Sequence, residues 1–112
     1  MKDGYIKIED NVSIGRNSKI DFSGGITLKK GVMLSENVVI QTHDHGFDPR
    51  SKPIGKPLLI EENVWIGLNT SVLYNVNLIS ENSIIAAGSL VTKKVEPNSI
   101  YAGIPAKFLK NK

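Results

Sequence analysis

The aliphatic residues of this chain recur at a fixed spacing over its C-terminal half. Between Leu58 and Val95, an Ile or Val occupies every sixth position, with one extra residue between two runs of three. A small or β-branched residue follows each of these positions four places later. An α-helix repeats about every 3.6 residues and a strand about every 2, so a sustained period of six belongs to neither element alone. It is typical of a parallel β-helix, in which each six-residue rung supplies one short strand and one turn. The positions are Ile60, Ile66 and Val72, then Ile79, Ile85 and Val91.

The same period is present in the N-terminal half. Two further runs of three rungs occur there, and Gly24 and Gly25 separate them where the phase slips by two residues. Paired glycines permit a bulged corner at such a slip. Four runs of three rungs predict four triangular coils, so the expected fold class is all-β. The N-terminal positions are Ile8, Ile14, Ile20, Leu28, Leu34 and Ile40.

The register of the last run has two solutions. A strict period of six would shift this run by one residue and turn Lys94 inward, which is a poor choice for a charged side chain. We therefore predict the slipped register, in which Ile79 faces inward. The residues that the strict register would bury are Leu78, Ile84 and Leu90.

One long segment, residues 41–57, interrupts the period. It contains three prolines, two glycines and both histidines of the chain, which is the composition of a loop. A β-helix accommodates insertions as loops on one side, and that side often binds ligands. The predicted organisation is a β-helix over residues 1–95 with a protruding loop at 41–57, followed by a tail at 96–112 that packs on the last coil.

The C-terminal end carries the excess positive charge. The net charge of +3 comes from 14 basic and 11 acidic residues, and five lysines fall in the last twenty positions. They form either a solvated surface or a site for a phosphorylated ligand. Nucleic acid is not an expected partner, because the tail lacks arginine and has few aromatic residues. Residues 105–110 are expected to form a short helical turn that packs Phe108 and Leu109 on the last coil. The lysines are Lys93, Lys94, Lys107, Lys110 and Lys112.

The composition narrows the class of protein further. With 112 residues the chain is long enough for one domain. The absence of cysteine excludes disulfides, cysteine-liganded metal and a cysteine nucleophile. The N-terminus lacks the apolar stretch of a secretory signal, and no apolar run approaches the ~20 residues that span a membrane. A cytoplasmic location without membrane insertion is therefore expected.

His43 and His45 lie where the loop begins. A histidine near its unperturbed pKa of about 6.5 can take up and release a proton at neutral pH, so a general base is one interpretation. Two solvated loop histidines are a second. A zinc site is a third, but a catalytic zinc usually has three protein ligands. Asp44 or Asp48 would have to complete it, so no metal is expected.

Together these features resemble the hexapeptide-repeat acyltransferases, in particular the O-acetyltransferases of the sugar, capsule and xenobiotic type. The segments that carry the resemblance are QTHDHGFDP, GKPLLIEENVWIGLNTSVL and AAGSLVTKKVEPNSIYAGIPAK, in this order. The resemblance covers nearly the whole chain. It implies that the β-helix is left-handed, that acetyl-CoA is the co-substrate and that a homotrimer holds its active sites between subunits.

The resemblance also implies roles for individual residues. His43 matches the catalytic general base, and His45 is expected to assist it or to contact the acceptor. Some relatives have Ser at position 68, so Leu68 offers a backbone contact only. Many have Arg at position 107, where Lys107 keeps the charge without the planar fork. The residues that match coenzyme A contacts are Leu68, Ala87, Thr92, Lys93, Lys107 and Lys110.

Two functions are consistent with the sequence. The first is transfer of an acetyl group from acetyl-CoA to a hydroxyl of a sugar or polysaccharide precursor, by direct attack with His43 as general base. Without a cysteine, direct attack is simpler than a covalent acyl-enzyme. The second is a non-catalytic β-helix that acts as a structural or ligand-binding subunit. Affinity for coenzyme A distinguishes them, because a pure scaffold should have none.

Overall fold

The computed structural model describes residues 4–112 and winds them into a parallel β-helix of triangular cross-section. Three parallel sheets form its sides, and each coil contributes one short strand to each sheet. The first three residues of the β-helix predicted from residue 1 lie outside the described part of the chain. Within residues 4–112, the structure contains no helix of the length and apolarity that crossing a membrane requires.

The three sheets are numbered in the order in which the chain enters them. Sheet I contains β1 (Ile6–Ile8), β4 (Ile26–Leu28), β9 (Leu58–Ile60) and β12 (Leu78–Ile79). Sheet II contains β2 (Ser13–Ile14), β5 (Met33–Leu34), β10 (Trp65–Ile66), β13 (Ile84–Ile85), β15 (Ser99–Gly103) and β16 (Ala106–Asn111). Sheet III contains β3 (Lys19–Ile20), β6 (Val39–Ile40), β11 (Ser71–Val72) and β14 (Leu90–Val91).

Backbone pairing aligns the aliphatic positions in columns. Ile8 pairs with Leu28, Leu28 with Ile60, and Ile60 with Ile79. The slipped register of the last run is confirmed, because Ile79 is fully buried whereas Leu78 is only half-buried. Full burial of one such side chain stabilises the fold by about 1.5–3 kcal/mol. The buried aliphatic residues are Ile26, Leu28, Val32, Leu34, Val38, Ile40, Leu58, Ile60, Val64, Ile66, Val72, Val76, Ile79, Ile85, Val91 and Val95.

At the corner between sheets II and III, each coil has one residue in the left-handed backbone conformation. Asn17, Asn37 and Asn69 occupy the same place on successive coils, with φ of 62°, 58° and 59°. Asparagine tolerates this conformation better than most residues, because its short polar side chain hydrogen-bonds locally. Gly88 takes this place in the last coil, with φ of 73°. The repeated conformation stacks the turns of this corner above one another.

The two ends of the β-helix differ. In the first coil, Ile8 and Ile14 align with the core columns but are 51% and 41% exposed, since no described strand lies beneath them. At the other end the chain folds back as an antiparallel hairpin of β15 and β16, and Ala106 is buried against the core. The expected helical turn is therefore wrong, and Phe108 and Leu109 are more than half exposed.

The hairpin replaces the helical turn for a reason that lies in sheet II. β15 continues this sheet beyond β13 and would leave a row of unpaired backbone groups at its outer edge. β16 pairs with that edge, which a helical turn could not do. Gly103 supplies a φ of 106° at the turn, where a side chain would be strained.

Candidate active site

The loop of residues 41–57 leaves the β-helix at the corner between sheets III and I. At its root Thr42 is fully buried, and its hydroxyl donates to the Asp21 carbonyl oxygen at 2.8 Å and accepts from the Gly24 N–H at 3.0 Å. On the returning side, the Lys56 N–H donates to the Thr42 carbonyl at 2.7 Å. A Cβ on Gly24 would lie 1.8 Å from that carbonyl oxygen. The glycine at the phase slip therefore makes room for the loop root and fixes it to the first coil.

Asp21 gathers hydrogen bonds from two coils. Its Oδ1 accepts from the N–H and the hydroxyl of Ser23 at 3.1 and 2.6 Å. Its Oδ2 accepts from the Thr42 N–H at 2.9 Å and lies 2.7 Å from His43 Nδ1. Partial burial acts to raise the pKa of Asp21, but these hydrogen bonds, led by the Ser23 hydroxyl, outweigh it and hold the pKa well below its usual range. Asp21 is therefore ionised at neutral pH.

The contact with Asp21 sets the tautomer of His43. An ionised carboxylate can only accept a hydrogen bond, so His43 Nδ1 must carry the hydrogen. In the neutral ring the other nitrogen, Nε2, then holds a free lone pair. The ring is half-buried, so part of its surface remains accessible. Such an imidazole can accept a proton at Nε2, and the carboxylate stabilises the cation that results.

Ser23 contacts both Asp21 and His43. Neither Ser23 nor Asp21 was predicted from the sequence. The Ser23 Oγ atom lies 3.2 Å from His43 Nδ1 while its hydrogen is directed to Asp21. A usable signal was present in the repeat. Ile20 pairs with Ile40 across the coils, so aligning the rungs places residues 21–23 directly beneath residues 41–43.

His45 lies beside His43 but has a different partner. The two ring centroids are 5.0 Å apart and the rings are nearly perpendicular, at 87°. His45 Nδ1 lies 2.9 Å from the carbonyl oxygen of Ser51, on the outer part of the same loop. Two short strands, β7 (His43–Asp44) and β8 (Ile54–Gly55), pair antiparallel and hold the loop closed at its base. The structure thus brings both predicted histidines together.

The residues expected to contact coenzyme A lie in two places. Leu68 and Ala87 are exposed on successive coils at the corner between sheets II and III, where the Gly88 N–H donates to the Leu68 carbonyl at 2.7 Å. Thr92, Lys93 and Lys107 line a cleft of about 230 Å³ between the end of sheet III and the terminal hairpin. Lysine side chains give this cleft a positive character that suits an anionic group. The predicted set therefore divides into a corner and a cleft.

The remaining predicted residue, Lys110, does not line that cleft. It lies on β16 opposite Ile100 and is exposed. Lys94 does line the cleft, although its charge is partly balanced by Glu96 at 3.8 Å. Within residues 4–112, no three His, Asp or Glu side chains are arranged to hold a metal ion.

Known proteins share the repeat that builds this site. The family described as "Hexapeptide repeat of succinyl-transferase" matches residues 5–42 and 57–93, the two stretches that flank the loop. The chain belongs to the hexapeptide-repeat acyltransferases. The family predicted from the sequence is therefore confirmed, and the loop that carries both histidines lies between the matched stretches.

Individual relatives of this family are acetyltransferases. The chain is 32% identical to the galactoside O-acetyltransferase of Escherichia coli over 95% of its own length and 57% of that protein. It is 44% identical to the galactoside O-acetyltransferase of Lactococcus lactis over 66% of its own length and 37% of that protein. The chain thus spans about half the length of the curated relatives it matches.

A solved structure supports the fold directly. The chain superposes with a TM-score of 0.86 on a hexapeptide-repeat acetyltransferase of Vibrio cholerae in complex with acetyl coenzyme A. The two are 32% identical, and the match covers 95% of this chain and 60% of the other. The prediction of a left-handed parallel β-helix is confirmed.

Proposed function

We propose that this protein transfers an acetyl group from acetyl-CoA to a hydroxyl of a sugar or polysaccharide precursor, with His43 as general base. The observation that carries the proposal is the 2.7 Å contact between His43 Nδ1 and Asp21 Oδ2. It leaves Nε2 as the free acceptor of a proton, at the root of a loop on the scaffold of an acyltransferase family. Relatives named for galactoside O-acetylation favour a sugar hydroxyl as the acceptor.

The chemical step is a direct displacement. His43 Nε2 takes the proton of the acceptor hydroxyl while that oxygen attacks the thioester carbonyl carbon. The tetrahedral intermediate then collapses, the carbon–sulfur bond breaks, and the thiolate of coenzyme A takes the proton from Nε2. Asp21 stabilises the imidazolium between the two proton transfers. A positioned base of this kind contributes typically ~10²–10⁴-fold to the rate.

Acetyl-CoA is proposed to bind where the predicted contacts lie. The cleft at Lys93 and Lys107 suits the phosphate groups of the coenzyme, and the exposed corner at Leu68 and Ala87 suits its extended arm. Lys110 on the hairpin extends the positive surface. The corner with Leu68 precedes the strands of sheet III, and the corner with His43 follows them. The two corners therefore lie at opposite ends of these strands.

Because of this separation, we propose that the active site is completed between neighbouring subunits of a homotrimer. A short β-helix has a thin core and gains stability from neighbours. Met33 and Trp65, each 48% exposed on the outer face of sheet II, offer apolar surface for such a contact.

The test measures thiol release from acetyl-CoA over a panel of sugars, amino sugars and antibiotics, with a parallel measurement of coenzyme A binding by calorimetry. We expect a sugar to stimulate thiol release and coenzyme A to bind. The scaffold alternative predicts neither. A monomeric mass in solution would contradict the proposed assembly.

A further inference from the structure

His45 presents a second hydrogen-bond acceptor next to the proposed base. It comes directly after β7, two residues beyond His43, and its ring is nearly perpendicular to the ring of His43. Their ring centroids are 5.0 Å apart. A molecule that reaches one ring is therefore close to the other.

The partner of His45 fixes which nitrogen is free. The Ser51 carbonyl oxygen can only accept, so His45 Nδ1 carries the hydrogen and Nε2 holds the lone pair in the neutral ring. Both histidines thus use Nδ1 for an internal contact and leave Nε2 free. In the neutral rings both Nε2 atoms are acceptors, so neither can donate a hydrogen bond to the other.

The surroundings of His45 suit binding rather than proton transfer. Asp44, its neighbour in sequence, accepts from the Gly46 N–H at 2.7 Å and lies 3.5 Å from Lys56 Nζ. Asp48 accepts from the Arg50 N–H at 2.9 Å. Among residues 4–112, His45 has no ion-pair contact with a carboxylate, in contrast to His43. A protonated His45 would therefore lack the stabilisation that Asp21 gives His43.

We infer that His45 binds a second hydroxyl of the acceptor, adjacent to the hydroxyl that is acetylated, and that the acceptor class is therefore sugars with neighbouring hydroxyls. This inference rests on the proposed function of the same site. One hydroxyl has a single hydrogen and cannot donate to both rings, so His45 needs a second donor. Because the ring centroids are only 5.0 Å apart, a sugar that donates one hydroxyl to His43 brings its neighbouring hydroxyl close to His45.

The expected contribution is that of one hydrogen bond between neutral groups at a half-exposed site. Such a bond contributes about 1 kcal/mol, and about 1.4 kcal/mol corresponds to tenfold. We therefore expect kcat/KM to be about fivefold higher for a sugar with both hydroxyls than for its analogue lacking the hydroxyl next to the acetylated one.

The experiment compares methyl β-galactopyranoside with its four monodeoxy analogues, on the wild type and on three variants. In His45→Phe a planar aromatic ring is kept but both ring nitrogens are lost, the Nε2 acceptor among them. We expect the ratio of kcat/KM between the galactoside and the analogue lacking the neighbouring hydroxyl to fall to about one. His45→Gln restores an acceptor oxygen and should recover part of the ratio. Arg50→Ala changes an exposed side chain of the same loop and should keep the wild-type ratio.

The outcomes separate this inference from the proposed function. If the wild type acetylates the galactoside and His45→Phe keeps the full ratio, the inference is wrong and the proposed function stands. If His45→Phe lowers kcat equally for all acceptors, His45 acts on the chemical step and the inference is again wrong. If no sugar in the set stimulates thiol release, the proposed function fails and the inference fails with it.

Discussion

The root of the loop and its outer part each hold one histidine side chain, but through different contacts. At the root, His43 faces a carboxylate that belongs to the first coil, and the neighbouring Thr42 is hydrogen-bonded to the same coil. In the outer part, His45 faces a carbonyl of Ser51, which belongs to the loop itself. The β-helix therefore fixes one imidazole, and the loop fixes the other. We infer that the partner of Nδ1, rather than the residue type, decides which histidine suits proton transfer.

The largest difference between the two regions is expected in the chemical step. We predict that His43→Ala lowers kcat by about 10²–10⁴-fold, because the hydroxyl loses its base. His45→Ala should lower kcat/KM by only about fivefold, because it removes one hydrogen bond of about 1 kcal/mol. Steady-state thiol release measures both, and calorimetry should show unchanged coenzyme A binding in each variant. Equal losses in the two variants would remove the distinction between them.

The Asp21 carboxylate distinguishes the root of the loop from its outer part. In Asp21→Asn, the amide can present its NH₂ group to His43 Nδ1, which favours the opposite tautomer and places the hydrogen on Nε2. We expect kcat to fall by about 10²-fold or more, with little change in the KM for acetyl-CoA. An unchanged kcat would show that Asp21 does not position the base.

The hydrogen bonds at the root of the loop should also contribute more to the free energy of unfolding than those in its outer part. Thr42→Val removes a hydroxyl that serves the Asp21 carbonyl and the Gly24 N–H, and we expect a loss of about 1–3 kcal/mol in the free energy of unfolding. Ser51→Ala removes hydroxyl contacts at an exposed site and should change it by about 0.5 kcal/mol or less. Urea unfolding measures both. A Ser51→Ala loss as large as that of Thr42→Val would contradict the assignment of the anchor to the root.

The smallest effect is expected in the pH dependence of stability. The pKa of Asp21 is lowered in the folded chain, so its contribution is fully present above the ordinary value of about 3.9 and is lost as the pH falls towards the lowered value. The difference in free energy of unfolding between wild type and Asp21→Asn should therefore shrink between pH 5 and pH 3. Urea titrations at these two values measure it, and a difference that grows on acidification would have the wrong sign.

The coils could be predicted from the sequence because nearly every rung has an aliphatic residue at the same position. An aliphatic residue at each sixth position is buried by the coil above and below, and the phase slip before Ile79 was visible because the alternative buries a lysine. The first coil shows the limit of that reasoning. Ile8 and Ile14 fit the pattern but are exposed, because burial also depends on a neighbouring coil and no described strand pairs with their outer side.

The candidate site could be predicted only in part. The sequence indicated the loop and its two histidines, but not Asp21, which lies 22 positions away and is joined to His43 by the stacking of coils. The tail was mispredicted for a related reason. No local pattern in residues 105–110 specifies a strand. These residues form one because they pair with the open edge of sheet II. Both features depend on contacts between coils, which no single segment contains.

The position of the hydrogen on the His43 ring shows whether Asp21 prepares this ring to act as a base. ¹⁵N-labelled protein gives the protonation of each imidazole nitrogen by NMR, and His45→Gln assigns the signals, since the chain has two histidines. At a pH where both rings are neutral, we expect the hydrogen of His43 on Nδ1 and a free Nε2. A hydrogen on Nε2 of His43 in the wild type would contradict this role of Asp21.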